Sequence, residues 1–362
     1  MHPLAKTQPI SQQERLISID IIRGIALLGI LFVNFPQYTS IYNQAVPAFY
    51  TGIDSYLRLF YDLFVQTKFY TIFSFLFGWG FFIFMKRAEQ RQDRIYLRFS
   101  RRMIVLLLIG LLHEHFWFGD ILHDYALLGL GLFLFYRIPA ELTARWALFI
   151  SSLFIGGQVF NLLAVFSDQN NPFPWLGAPE VSILAMFLWG MATGKALIFE
   201  RVEIWMQFLR KVQLGGLLLT IPGWVGILYL FNQPASILND YLRYLYVNLT
   251  AIPLALCYLA TLTKLLTHPN FFKLLRPVGY VGQMALTNYL IQTVIGMSLV
   301  QLLHFQDEIP LSSTFLLTWV IFSVQVLISR SWLKKHRYGP LEYLWRSLTY
   351  GRLQPNSHRS NA

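Results

Sequence analysis

Runs of apolar residues close to the thickness of a bilayer recur along this 362-residue chain, separated by short loops rich in lysine and arginine. About 20 apolar residues in a helix cross the hydrocarbon core, because each residue adds about 1.5 Å. Ten segments reach or approach that length: 19–36, 69–86, 102–118, 125–137, 145–166, 181–199, 212–231, 244–264, 278–303 and 312–332. The fourth is the shortest. With 55% hydrophobic, 17% aromatic and 13% charged residues, the composition is that of a membrane protein, since soluble domains run nearer a quarter charged. The expected fold is all-α, a polytopic bundle of about ten transmembrane helices, because helices satisfy their backbone polar groups internally in lipid.

The net charge of +11 does not call for nucleic acid, because the basic residues sit in the loops as the positive-inside bias requires. An N-terminus in the cytoplasm places Lys86, Arg87, Arg91, Arg94, Arg98, Arg101 and Arg102 on the inner side, together with the basic tail from Lys334 to Arg359. Only Arg58, Lys68 and Arg243 then fall on the outer side. The expected organisation is a cytoplasmic segment 1–18, a single transmembrane bundle 19–332 and a cytoplasmic tail 333–362 with a short interfacial helix begun by Pro340, in which Glu342 pairs with Arg346. The first apolar run has no small-residue cleavage pattern after it and is read as a retained helix. Arg58 and Asp62 are four apart in 54–64, which is expected to be an interfacial helix on the outer leaflet. The outer loop 167–180 has turn residues and no basic ones. Cys257 is the only cysteine, so no intrachain disulfide can form.

The densest ionisable cluster is His113-Glu114-His115 followed by Gly119-Asp120 and His123-Asp124, at the outer junction of the third and fourth segments. Ionisable side chains at membrane depth are costly and mark function by default. His113 and His115 point in nearly opposite directions on a helix, and the i, i+4 spacing of helical zinc sites is absent, so no metal site is expected. Asp120 suits an N-cap for the fourth helix; equally, Asp120 or Asp124 could orient His113 as a general base. His113 could instead be satisfied by an interhelical hydrogen bond.

Arg23, three residues after Asp20, either snorkels to headgroups or grips a phosphate-bearing ligand on the cytoplasmic side. Asn34 is a polar group about three turns deeper in that helix. Asn288 and Gln292 share a face of the ninth segment as interhelical glue or as a pocket lining. Ser74 and Gly78 make a small-xxx-small pair suited to a close helix contact, with Lys68 at its outer end placed to snorkel.

The stretches Asp20-Ile21-Ile22-Arg23-Gly24-Ile25-Ala26, Lys68-Phe69 with Phe73 to Gly78, Leu112-His113 with Gly119-Asp120, Ala285 to Leu290 with Gln292, and Gly339-Pro340-Leu341-Glu342 with Trp345-Arg346 together resemble the YeiB-like bacterial membrane family. Its members share a C-terminal region of unknown function, about 200–350 here. The chain is also similar to the transmembrane acyltransferase superfamily, which includes cell-surface O-acyltransferases and heparan-type N-acetyltransferases fed by cytoplasmic acyl-CoA. It departs from them in carrying Asn34 where the O-acyltransferases have a histidine, and in having no histidine between Asn34 and Lys68.

The resemblance implies a multi-pass protein of the bacterial inner membrane that moves an acyl group from acyl-CoA to a cell-envelope glycan or lipid acceptor, with no permanently bound cofactor. His113, with Asp120 or Asp124, is the expected base. Arg23, Lys68 and the loop around Arg98 are expected to bind ligand, and Asn34, Asn288 and Gln292 to line the channel. A carrier or flippase with a His/Asp proton relay, or a scaffold without turnover, would use the same residues differently.

Overall fold

A computed structural model describes residues 12–38, 50–167, 171–303 and 310–357, and side chains from residue 17 onward. The far N-terminal segment, part of the 167–180 loop and the last five residues of the basic tail lie outside the described residues. Among the described residues the chain is a bundle of fifteen α-helices without a β-strand, only His336 and Ser357 forming an isolated antiparallel bridge.

The apolar runs become α1 (Gln12–Gln37), α3 (Lys68–Gln90), α4 (Ile95–Phe116), α5 (Leu122–Gly131) with α6 (Phe133–Tyr136), α7 (Ala140–Ser167), α8 (Pro179–Lys195), α9 (Val202–Phe231), α10 (Ile237–Leu249) with α11 (Ala251–Leu265), α12 (Pro269–Gln283), α13 (Ala285–Leu302) and α14 (Leu311–Lys335); α2 (Ile53–Phe60) and α15 (Pro340–Tyr350) are the short amphipathic pieces. Among the described residues six helical stretches are long and apolar enough to cross a bilayer, and the bent α10–α11 pair, counted as one span, makes a seventh. Three of the ten expected segments fall short of that measure. Arg98, Arg101 and Arg102 enter the first turns of α4, α5 and α6 are brief, and α8 has 17 residues.

Two expected spans are broken. α10 and α11 meet at Thr250 with a 42° bend, where Pro253 has no N–H for the Leu249 carbonyl. The ninth segment divides at Met284, whose φ of −110° and ψ of 39° interrupt the helix between α12 and α13.

The outward faces of α7, α9 and α14 carry exposed Leu148, Leu163, Leu218, Val225, Leu316 and Leu327, an apolar coat that a bilayer covers. Gln158, Thr220 and Gln325 of these helices turn inward instead. α3 and α8 cross closely enough that a Cβ on Gly78 would strike the Phe187 carbonyl and one on Gly190 the Phe75 carbonyl, which bears out the small-residue contact expected at Gly78. α1 and α12 cross the same way through Gly24 and Gly282. Of the five hydrophobic clusters among the described residues, the two largest both draw on α1, α3 and α8.

Candidate functional site: a cavity between two polar centres

His113 sits in the last turn of α4, which ends when Trp117 turns extended. The chain then doubles back through Gly119 so that Asp120 stands at the start of α5. Asp120 Oδ2 accepts the Leu122 N–H at 2.9 Å and the His123 N–H at 3.4 Å, while Oδ1 lies 2.7 Å from His113 Nδ1. The cap and the histidine partner, which compete in the sequence, are therefore one carboxylate doing both.

An ionised carboxylate only accepts, so Nδ1 carries the proton and Nε2 is left as the acceptor. Nε2 faces the Thr293 hydroxyl at 3.0 Å, and that oxygen lies 3.3 Å from the Tyr38 hydroxyl. Tyr289 donates to Asp120 Oδ1 at 3.4 Å. His113 and Asp120 are both buried. Such an arrangement of acid, imidazole and hydroxyl fixes the tautomer and stabilises the imidazolium when a proton is taken up.

A cavity of about 300 Å³ runs between this centre and the end of the bundle that carries the basic loops. Arg23, Arg102 and Arg346 stand at its basic rim with Tyr338, Glu342 and Trp345, and Tyr125 and Tyr289 stand at its far end. The wall between is apolar, including Leu27, Ile30, Phe73, Phe77, Phe81 and Met103. His113 does not line the cavity; Tyr289 connects the two, with its ring in the cavity and its hydroxyl on Asp120.

Each rim guanidinium is held differently. Arg23 pairs with Asp20 at 2.7 Å and donates to the Gly282 carbonyl at 3.3 Å. Arg102 stacks on the Trp345 indole, 3.6 Å from its centroid, and Arg346 packs over Tyr338 and Tyr350. The expected Glu342–Arg346 pair does not form. Glu342 instead accepts the Thr287 N–H at 3.0 Å and its hydroxyl at 2.5 Å, capping the start of α13 from another helix. Burial pushes the Glu342 carboxyl up, and the Thr287 bonds pull it back. Three guanidinia thus face a cavity whose one lining carboxylate is already engaged.

The other candidate residues lie elsewhere. Asp124 pairs with His123, whose Nε2 is 3.2 Å away, and not with His113. Asn34 reaches the centre only through Tyr38. Asn288 donates to Val281 and Ser329, and Gln292 donates to Gln325 at 2.9 Å, so both amides tie α13 to α14 and leave the cavity. Arg98 pairs with Asp93 and donates to the Tyr350 carbonyl, away from the cavity lining. Lys68 does not snorkel: it is fully buried, with Nζ donating to the Asp62 carbonyl at 2.8 Å. Asp62 lies beyond α2 in a π turn, Tyr61–Val65, and is buried rather than on an interfacial surface.

Tyr289, Thr293, Tyr38 and Arg346 have no place in the site as read from the sequence. The available signal was the four-residue spacing of Tyr289 and Thr293 in an apolar helix, on the face next to the more conspicuous Asn288 and Gln292.

These features define a multi-pass helical membrane protein with a buried His–Asp pair and a cavity rimmed by arginines. A family described as "Protein of unknown function (DUF418)" matches residues 193–352. Along nearly their whole lengths, similar proteins are the uncharacterized 39.9 kDa protein in the amylase 3' region of Bacillus acidopullulyticus, 33% identical over 96% of this chain and 97% of the relative; the uncharacterized protein YxaH of Bacillus subtilis (strain 168), 28% identical over 97% and 98%; and the uncharacterized protein YeiB of Escherichia coli (strain K12), 29% identical over 93% and 96%. The chain belongs to this YeiB-like DUF418 family.

Proposed function

We propose that this protein is a transmembrane acyltransferase of the bacterial inner membrane, taking an acyl group from cytoplasmic acyl-CoA and passing it to a glycan or lipid acceptor on the other side. One observation carries the reading: a single cavity has three guanidinia at one end and, through Tyr289, a hydrogen-bonded His–Asp pair at the other. Guanidinium groups match phosphate in charge and geometry, so Arg23, Arg102 and Arg346 hold the donor's phosphates. The apolar wall accommodates the arm that carries the thioester toward Tyr289.

At the far end, an acceptor hydroxyl displaces Thr293 from His113 Nε2 and gives up its proton there. Its oxygen bonds to the thioester carbon, the Tyr289 hydroxyl turns to the developing oxyanion, and Asp120 stabilises the imidazolium. The carbon–sulfur bond then breaks, and the imidazolium returns its proton to the leaving thiolate. The donor stays on its own side of the bilayer throughout.

The same apolar wall, together with the two broken helices, favours a second reading as a carrier for an anionic lipid. The purified protein incubated with acetyl-CoA and longer acyl-CoAs separates the two. Transfer requires saturable acyl-CoA binding and acceptor-dependent thiol release, with Arg102→Ala weakening the binding and His113→Ala lowering only the release. Absence of saturable binding by every acyl-CoA overturns the transferase and leaves the carrier.

A further inference from the structure

The three basic residues that the charge pattern assigns to the outer side come from three different helices and meet at one place. Arg58 of α2 holds Asp62 through Nε, 3.0 Å from Oδ1 and 3.2 Å from Oδ2. Arg243 of α10 lies 3.9 Å from Asp62 Oδ2 and also pairs with Asp240. Lys68 of α3 is buried behind them, bonded to the Asp62 carbonyl. Two guanidinium groups and a lysine thus meet at two carboxylates, and the most deeply buried of the three, Lys68, has its Nζ on a backbone oxygen. Buried charge is costly unless compensated.

The local backbone is shaped to hold this cluster. Asp62 belongs to a π turn, a feature frequent at functional sites, and Thr67, the residue before Lys68, has φ at +70° although it is β-branched. Donor capacity is left over as well: Arg243 Nε is buried without a partner.

We propose that this cluster is a binding site for the phosphate of an anionic membrane lipid. Arg58 and Arg243, whose side chains keep 34% and 21% of their exposure, reach the phosphate from the surface, and the Lys68 amine lies beneath them on the Asp62 carbonyl. The surroundings select a lipid over free phosphate: Tyr56, Phe60 and Phe64 on one side and Ile237, Tyr241 and Tyr244 on the other are all exposed, giving the acyl chains apolar surface beside the charge. The site stands independently of the acyl-transfer reading, because it is defined at the opposite end of the bundle from the arginine rim and needs no donor.

The test uses the full chain purified in a neutral detergent, with lipid retention read by native mass spectrometry and melting temperature read in parallel. Phosphatidylglycerol is expected to be retained at least tenfold better than phosphatidylcholine. Arg243→Gln and Arg58→Gln are expected to lose that preference, and Lys334→Gln at the basic end to keep it. Measuring the preference only in protein that elutes folded separates lost binding from lost structure. Equal retention of the two lipids, a preference unchanged in both arginine variants, or stabilisation by inorganic phosphate without lipid preference would overturn the assignment.

Discussion

The two ends of the cavity solve opposite problems. At the far end every hydrogen-bonding atom of the His113 ring is taken: Nδ1 by Asp120, and Nε2 by Thr293, which is itself tied to Tyr38. At the rim, Arg102 and Arg346 rest on aromatic faces and keep hydrogen-bonding capacity for a ligand, while Arg23 is shared between Asp20 and Gly282. A buried His–Asp pair bonded through Nδ1 is preorganised; a stacked guanidinium keeps its donors free for an anion. Under the acyl-transfer proposal the difference gives chemistry to one end and affinity to the other, and the following variants either break that division or sharpen it.

The largest effect is expected at the closed end. His113→Ala should lower acceptor-dependent thiol release by about a thousandfold, within the range typical of a lost general base, and leave acyl-CoA affinity within about twofold. A fall in affinity of the same size would abolish the division. Tyr289→Phe comes next, by about a hundredfold in turnover, the scale of one lost oxyanion donor. Steady-state kinetics should show this in kcat, and an effect confined to KM would place Tyr289 in donor binding instead.

At the rim, Arg102→Ala should weaken acyl-CoA binding by about tenfold to a hundredfold, the worth of a charged hydrogen bond, as read by calorimetry. Arg102→Lys should fail to restore it, because an ammonium neither stacks flat on Trp345 nor forks to phosphate. Full restoration by lysine would reduce the rim to a diffuse positive potential. The smallest effect belongs to Asn288→Ala, which should cost about 0.6 kcal/mol of stability, typical of an interhelical bond in a membrane, with kinetics unchanged. A large kinetic defect there would move Asn288 from the α13–α14 seam into the site.

Much of the fold was legible because membrane helices announce themselves locally. The expected segments all fold as helices, and the glycine at position 78 marks a close crossing in fact. The His113–Asp120 pair was also within reach, since seven residues and one glycine turn separate them. Less legible was the role of amides. Asn288 and Gln292 look like a pocket lining in one dimension, yet their helix presents that face to α14 and turns Tyr289 and Thr293 to the site. Lys68 misled for a similar reason: a lysine at a helix end ordinarily snorkels, but here it is fully buried and the carbonyl of Asp62, in the π turn before α3, keeps it inside.

The sequence by itself determined a helical membrane chain with basic loops and a polar cluster between two apolar runs, because hydrophobic length, charge placement and turn residues act over a few turns of chain. Only the tertiary structure decided that His113 meets Thr293 across 180 residues, that Arg346 joins Arg23 and Arg102 around one cavity, and that Arg58, Arg243 and Lys68 crowd a single aspartate. The reason lies in packing. Which way each helix turns its polar face is fixed by where neighbouring backbones can approach, at Gly78 against α8 and Gly282 against α1, and that information is distributed over helices far apart in the chain.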